Sequence, residues 1–170
     1  MSPLKIGACL QLDSIAAHKD WLCEADRDVE LQDFVSASML LGDWRDRAQA
    51  LNAALDGHMG RRGIHGPYEG LDLDNKDPEV RPIITKRLLI ALEAEESLCA
   101  QQMVLHSPFT AWYEANKLAR PNYLEAKLDR IHEVLAPVLK RAEETGIKLV
   151  IENIQDVDPA TRRAMVDSFK

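Results

Sequence analysis

Gly146-Ile147-Lys148-Leu149-Val150-Ile151-Glu152-Asn153-Ile154-Gln155 is the stretch that decides the fold. Residues 147–151 read as a short buried strand, entered from a helix that stops at Gly146. The strand runs straight into Glu152 and Asn153. A carboxylate at the carboxyl end of a buried parallel strand sits where α/β folds place their chemistry. Two earlier apolar segments end comparably, Gly63-Ile64-His65 and Gln102-Met103-Val104-Leu105-His106. Together they predict one rim carrying His65, His106 and Glu152.

Outward from these endings, short strands alternate with amphipathic helices. The first strand is expected over 4–9, after Pro3, with a loop over 10–15 and a helix over 16–25. A second strand over 29–34 alternates in part, Val29 and Leu31 on one face, Glu30 and Gln32 on the other. In a barrel, Glu30, Gln32 and Asp33 would line the rim. Asp43 is placed to cap a helix over 44–56. Asp77-Pro78-Glu79 reads as a helix start, with Asp77 as cap and Pro78 in the first turn. That helix extends to about 99. A loop is expected over 110–120, where Trp112 and Tyr113 can roof a pocket. From Pro121, Leu124, Leu128, Ile131, Leu135, Val138 and Ala142 recur at helical spacing, with a bend at Pro137. A last helix follows Asp158-Pro159. Five β-α units in this order predict an α/β fold with a parallel sheet and right-handed crossovers.

Composition bounds the function. The chain has 170 residues, enough for a single domain with its own core, and is 46% hydrophobic and 29% charged. Its net charge of −7 disfavours a nucleic-acid groove, and 5% aromatics disfavour a base-stacking platform. Three cysteines without metal spacing argue against a disulfide framework; Cys9 and Cys99 sit in apolar contexts and read as small core residues. Neither a leader pattern nor an apolar run of membrane-spanning length stands out, so the default expectation is cytoplasmic, without a membrane partner. Glu93, Glu95, Glu96, Glu143 and Glu144 read as solvated helix faces. His18, His58 and His132 lie on or beside helices and carry no expected chemistry.

Two imidazoles and a carboxylate on one rim suit zinc, manganese or iron(II). An open coordination position would admit substrate oxygens. No glycine-rich phosphate loop, CxxC pair or nucleophile elbow accompanies them.

Ile64-His65-Gly66-Pro67-Tyr68, Val104-Leu105-His106-Ser107-Pro108-Phe109 and the segment from Gly146 to Asn153 resemble three successive landmarks of the xylose-isomerase-like TIM barrels. Asp77-Pro78-Glu79-Val80-Arg81 onward resembles the helix after strand three in their sugar phosphate isomerase/epimerase branch. The endonuclease IV group is a related branch. The resemblance implies a divalent metal (manganese, zinc or magnesium) held by Glu152, His106 and His65, a partial ligand set. It also implies Glu152 as a proton-transfer residue. His65, Gln32 and Trp112 are then expected at the sugar substrate, and the reaction is proton transfer beside a carbonyl.

A complete (β/α)₈ barrel takes about 250 residues. The chain is therefore expected to be the N-terminal portion of such a barrel, about five units long, with later metal ligands absent. Open sheet edges, and apolar inner faces of helices left exposed, are expected to pair with another copy or chain. Activity as an isomerase or epimerase then depends on the missing strands. Two other readings stand beside it: an endonuclease IV-like phosphodiesterase on abasic DNA, and a non-catalytic half-barrel that serves binding or assembly.

Overall fold

A computed structural model describes residues 4–156 and 158–170, so Pro3 lies outside the described residues. Strands and helices alternate as β1 (Ala8–Leu10), α1 (Leu12–Glu24), β2 (Val29–Leu31), α2 (Ala37–Leu41), α3 (Trp44–Ala54), β3 (Arg62–His65), α4 (Arg81–Ser97), β4 (Gln102–His106), α5 (Ala111–Asn116), α6 (Tyr123–Thr145), β5 (Lys148–Glu152) and α7 (Pro159–Asp167). The strands form a five-stranded sheet in the order β1-β2-β3-β4-β5, parallel throughout. This is an α/β fold consistent with part of a (β/α)₈ barrel. Among the described residues, no helix is long and apolar enough to cross a membrane.

The pleat sends alternate side chains to opposite faces. Val29, Leu31, Ile64, Met103 and Leu105 face the helices and are buried there with Ile84, Leu88 and Val138. The other face carries Cys9, Glu30, His65, Gln102, His106 and Glu152. The stripes of α4 and α6 are thus covered by the sheet, while at the β5 edge Leu139, Leu149 and Ile151 are only partly buried and Val166 of α7 is exposed, as the sequence suggested. What stands open is the opposite sheet face, which is largely polar.

Several boundaries move for identifiable reasons. β1 starts later than expected, and α1 starts earlier because Asp33 accepts from the Leu12 backbone N–H at 3.3 and 3.1 Å and holds the first turn of α1. Arg47 pairs with the same carboxylate at 3.1 Å, so Asp33 joins α1 to α3 instead of lining the rim. Asp43 precedes α3 without capping it through its side chain. Asp77 accepts from the Glu79 N–H at 2.9 Å and Val80 closes a turn on the Asp77 carbonyl, so α4 proper begins at Arg81, later than the Asp-Pro signal implied. The expected loop at 110–120 contains α5, whose Thr110 hydroxyl accepts from the Tyr113 N–H at 3.3 Å. β5 is an edge strand and only half-buried. Gly146, at φ 73°, closes α6 as read from the sequence. Cys9 and Cys99 are exposed, the first on the open sheet face and the second at φ 50° just past α4.

The connection from β3 to α4 is pinned to α6. Asp74 receives Lys127 Nζ at 2.6 Å and Arg130 at 3.7 Å, and the Arg130 side chain also donates to the Asp74 carbonyl at 3.0 Å. Lys127 is buried, which lowers its pKa, while Asp74 opposes that shift.

Glu95 departs most from expectation. It is 0% exposed, on the buried side of α4. Among the described residues neither of its carboxylate oxygens has a hydrogen-bond partner. Burial pushes its pKa from 4.5 to about 8. Helical spacing places it one turn after Ala91, in the stripe of Ile84 and Leu88, so the run of glutamates is not one solvated face.

Two measurements follow from this packing. Between pH 4.5 and about 8 the native chain keeps a proton on Glu95 that the unfolded chain releases. Stability should therefore fall as pH rises through that window, by up to about 1.4 kcal/mol per pH unit. Glu95→Leu should flatten the dependence in thermal melts; an unchanged slope would contradict the buried proton. Asp74→Ala strands the buried Lys127 ammonium and should cost roughly 2–3 kcal/mol in denaturant unfolding. The double replacement Asp74→Leu with Lys127→Met should recover most of that loss.

Candidate metal centre

The three strand endings meet because of register. β4 and β5 pair so that His106 lies beside Glu152, and β3 pairs with β4 so that His65 lies beside Val104. His106 and Glu152 are thus neighbours on one face, and His65 sits diagonally below them. Each strand has a local reason to stop. After His65, the Gly66 N–H adds one more bond, to the Val104 carbonyl at 2.8 Å, and Pro67 has no N–H to continue the ladder. A side chain at Gly66 would put its Cβ 2.8 Å from Leu105 Cδ2 and 3.0 Å from the Val104 carbonyl oxygen, so only glycine lets the chain pass this close. After His106, the Ser107 N–H reaches the Glu152 carbonyl at 2.8 Å before Pro108 ends the pairing.

Side chains converge as the backbones do. His65 Nε2 lies 3.4 Å from Glu152 Oε2, and His106 Nε2 lies 3.7 Å from the same oxygen. All three ligand atoms fall within 4.8 Å of one another. His65 Nδ1 is 2.9 Å from the Gly66 carbonyl. A carbonyl only accepts, so Nδ1 is the donor and Nε2 is the ring nitrogen turned toward Glu152. Burial lowers the pKa of His106; the nearby His65 adds to this and Glu152 opposes it. His106 thus also tends toward the neutral, electron-pair-donating form.

Lone pairs and a carboxylate oxygen facing one point repel unless a proton or a metal ion stands between them. Both separations are longer than a charge-assisted hydrogen bond of about 2.7–2.9 Å. They are near the roughly 3.4 Å that separates ligands of a tetrahedral zinc with bonds of about 2.0–2.1 Å, and the third separation lies within 4.8 Å. The donor chemistry and spacing fit a divalent ion, and three protein donors leave a position for a substrate oxygen.

A cleft of about 320 Å³ opens off His106. Tyr68, Ser107, Trp112, Lys127 and Gln155 are among the residues that line it. Trp112, 64% exposed, stands on its wall. Tyr113 also lines the cleft, largely buried and packed on Phe109 at 5.0 Å between ring centroids. Gln32 does not line this cleft. Its amide donates to Glu30 Oε1 at 2.9 Å on the open sheet face. Of the expected site residues, the structure brings His65, His106 and Glu152 together; Trp112 shares the cleft with His106, and Gln32 lies on the same sheet face outside that cleft. Tyr68 went unassigned from sequence, although it ends the Ile64–Tyr68 motif. Its ring stacks on His106 with centroids 4.2 Å apart and planes 21° from parallel. His58 and His132 have ordinary partners, the Arg27 carbonyl at 2.7 Å and the Ser168 hydroxyl at 2.8 Å.

Comparisons with known proteins agree with this architecture. No curated protein matches the chain in sequence. Among solved structures, the TTHB071 protein from Thermus thermophilus, soaked with zinc chloride, is similar at 24% identity with a TM-score of 0.71, over 98% of this chain and 63% of that one. The 3-keto-D-glucoside 4-epimerase YcjR from E. coli is similar at 19% identity with a TM-score of 0.69, over 98% of this chain and 64% of that one. A D-psicose 3-epimerase solved in the presence of D-fructose shares 16% identity at a TM-score of 0.67, over 96% of this chain and 59% of that one. At these identities the likeness is one of fold, and this chain spans less than two thirds of each neighbour. Residues 29–169 match the family model described as xylose isomerase-like TIM barrel. The chain belongs to the xylose isomerase-like TIM barrel family.

Proposed function

We propose that the chain carries the metal centre of a divalent-metal-dependent sugar isomerase or epimerase, with His65, His106 and Glu152 as ligands. The observation that carries this reading is the meeting of three electron-pair donors at one point, beside a cleft of about 320 Å³. Structural neighbours that are sugar epimerases support the substrate class. A bound divalent ion would polarise the carbonyl and adjacent hydroxyl of an open-chain sugar and so acidify the C–H between them.

The chain's own residues supply the rest. His65, fixed by the Gly66 carbonyl, and His106, kept toward neutrality by burial, present Nε2 to the site. Oε2 of Glu152 lies 3.4 Å from one imidazole and 3.7 Å from the other. Oε1 is left to take the proton from carbon and return it. Trp112 offers an aromatic face to the sugar's C–H edge, and Ser107 and Gln155 offer polar groups to its hydroxyls. Phosphodiester cleavage in abasic DNA is a second reading, favoured by the two-imidazole donor set, which suits zinc. The net charge of −7 opposes it.

The test is exchange of the carbon-bound proton with deuterated water, followed by NMR on a panel of ketoses, with cobalt or zinc supplied. Metal-dependent exchange beside the carbonyl is expected. Glu152→Gln should reduce it at least about a hundredfold. Metal binding without exchange on any ketose, together with incision of an abasic duplex, would replace this reading with the second one.

A further inference from the structure

The two imidazoles of the centre are held in different ways. His65 is oriented by its bond to the Gly66 carbonyl, and its side chain is only 5% exposed. His106 is 30% exposed, and among the described residues no hydrogen bond reaches either of its ring nitrogens. A metal-binding histidine normally has its second nitrogen anchored to a carbonyl, carboxylate or water, which fixes the ring. The torsion that turns an imidazole is soft and roughly two-fold. An unanchored His106 could swing Nε2 away from Glu152.

Tyr68 occupies the space that such a rotation needs. Its ring lies over that of His106, 4.2 Å between centroids and 21° from parallel. It meets His65 edge-on at 4.9 Å and 69°, while the two imidazoles meet at 4.8 Å and 90°. Rotation of the His106 ring out of its plane would drive its edge into the phenol. Tyr68 is itself fixed through its backbone. Its N–H donates to the Val35 carbonyl at 3.1 Å, the Glu69 N–H reaches the same oxygen at 3.3 Å, and the Leu71 N–H closes on the Tyr68 carbonyl at 3.2 Å. The rigid Pro67 precedes it, and Asp74 pins the same connection to α6. A ring carried on a well-anchored backbone thus faces a poorly anchored ligand.

We infer that Tyr68 is a positioning residue of the metal centre: its stacked ring, in place of a hydrogen bond, fixes the plane of His106 so that Nε2 faces Glu152. The inference rests on reading His65, His106 and Glu152 as metal ligands. The flat ring does the work and the hydroxyl does not, which separates this role from substrate binding by the phenol.

Cobalt titration of the chain, followed by its visible absorption, tests this alongside histidine-ring NMR of the metal-free protein. Tyr68→Ala should weaken cobalt binding about tenfold. Tyr68→Phe should bind within about twofold of the parent, because it keeps the ring. In a His106→Gln background Tyr68→Ala should have no further effect on affinity. In the metal-free chain, Tyr68→Ala should mobilise the His106 ring and leave that of His65 unchanged. If Tyr68→Ala does not fold, Tyr68→Leu replaces it, keeping bulk without a flat ring. Unchanged cobalt affinity and His106 ring signals in both Ala and Leu variants would overturn the role of Tyr68 alone. Failure of the parent chain to bind cobalt would overturn the metal reading on which it stands.

Discussion

The pairing of β4 with β5 sets His106 beside Glu152, and the centre depends on that register. A slip of one residue would send one of the two side chains to the helix-covered face, because successive strand residues alternate. The register is held from both ends. Gly146 in its left-handed conformation delivers the chain from α6 into β5, with the Ile147 N–H on the Ala142 carbonyl at 3.0 Å. At the other end Ser107 donates to the Glu152 carbonyl at 2.8 Å. Between them Leu149 and Ile151 pack toward the helices, so the hydrophobic pattern and the backbone pairing favour the same alignment.

From that alignment the two faces of the sheet take separate tasks. The helix-covered face supplies stability through Ile64, Met103, Leu105 and the α4 and α6 stripes. The open face is largely polar and carries the converging donors. His65, Gly66, Pro67 and Tyr68 link the tasks within one short segment. The histidine donates, the glycine permits close passage, the proline ends the ladder and the tyrosine covers the neighbouring imidazole. The connection continues to Asp74, whose pairing with Lys127 ties the cleft wall to α6.

The α/β class, the parallel order and the three rim residues were legible in the sequence because apolar runs ending in His or Glu, between amphipathic helices, leave few topologies open. Gly146 was legible for a related reason, since a helix that runs into a strand needs a left-handed residue there. Other features depend on contacts far apart in the chain. Asp33 caps α1 from the end of β2, which no local pattern reveals. Glu95 belongs to the buried stripe by spacing, and its charge masked that position in a run of glutamates. Cys9 has apolar neighbours in sequence, yet the pleat turns it to the open face. Tyr68 ends the Ile64–Tyr68 motif, but its ring-on-ring contact with His106 joins the β3–α4 connection to the end of β4.

The most direct test is X-ray absorption at the zinc edge on the zinc-loaded chain, beside His65→Ala and His106→Ala. The account predicts imidazole scattering from two rings at about 2.0–2.1 Å together with a carboxylate oxygen, and the loss of one ring in each variant. A shell of oxygens alone, or a spectrum that neither variant alters, would contradict a metal centre built from these three strand ends.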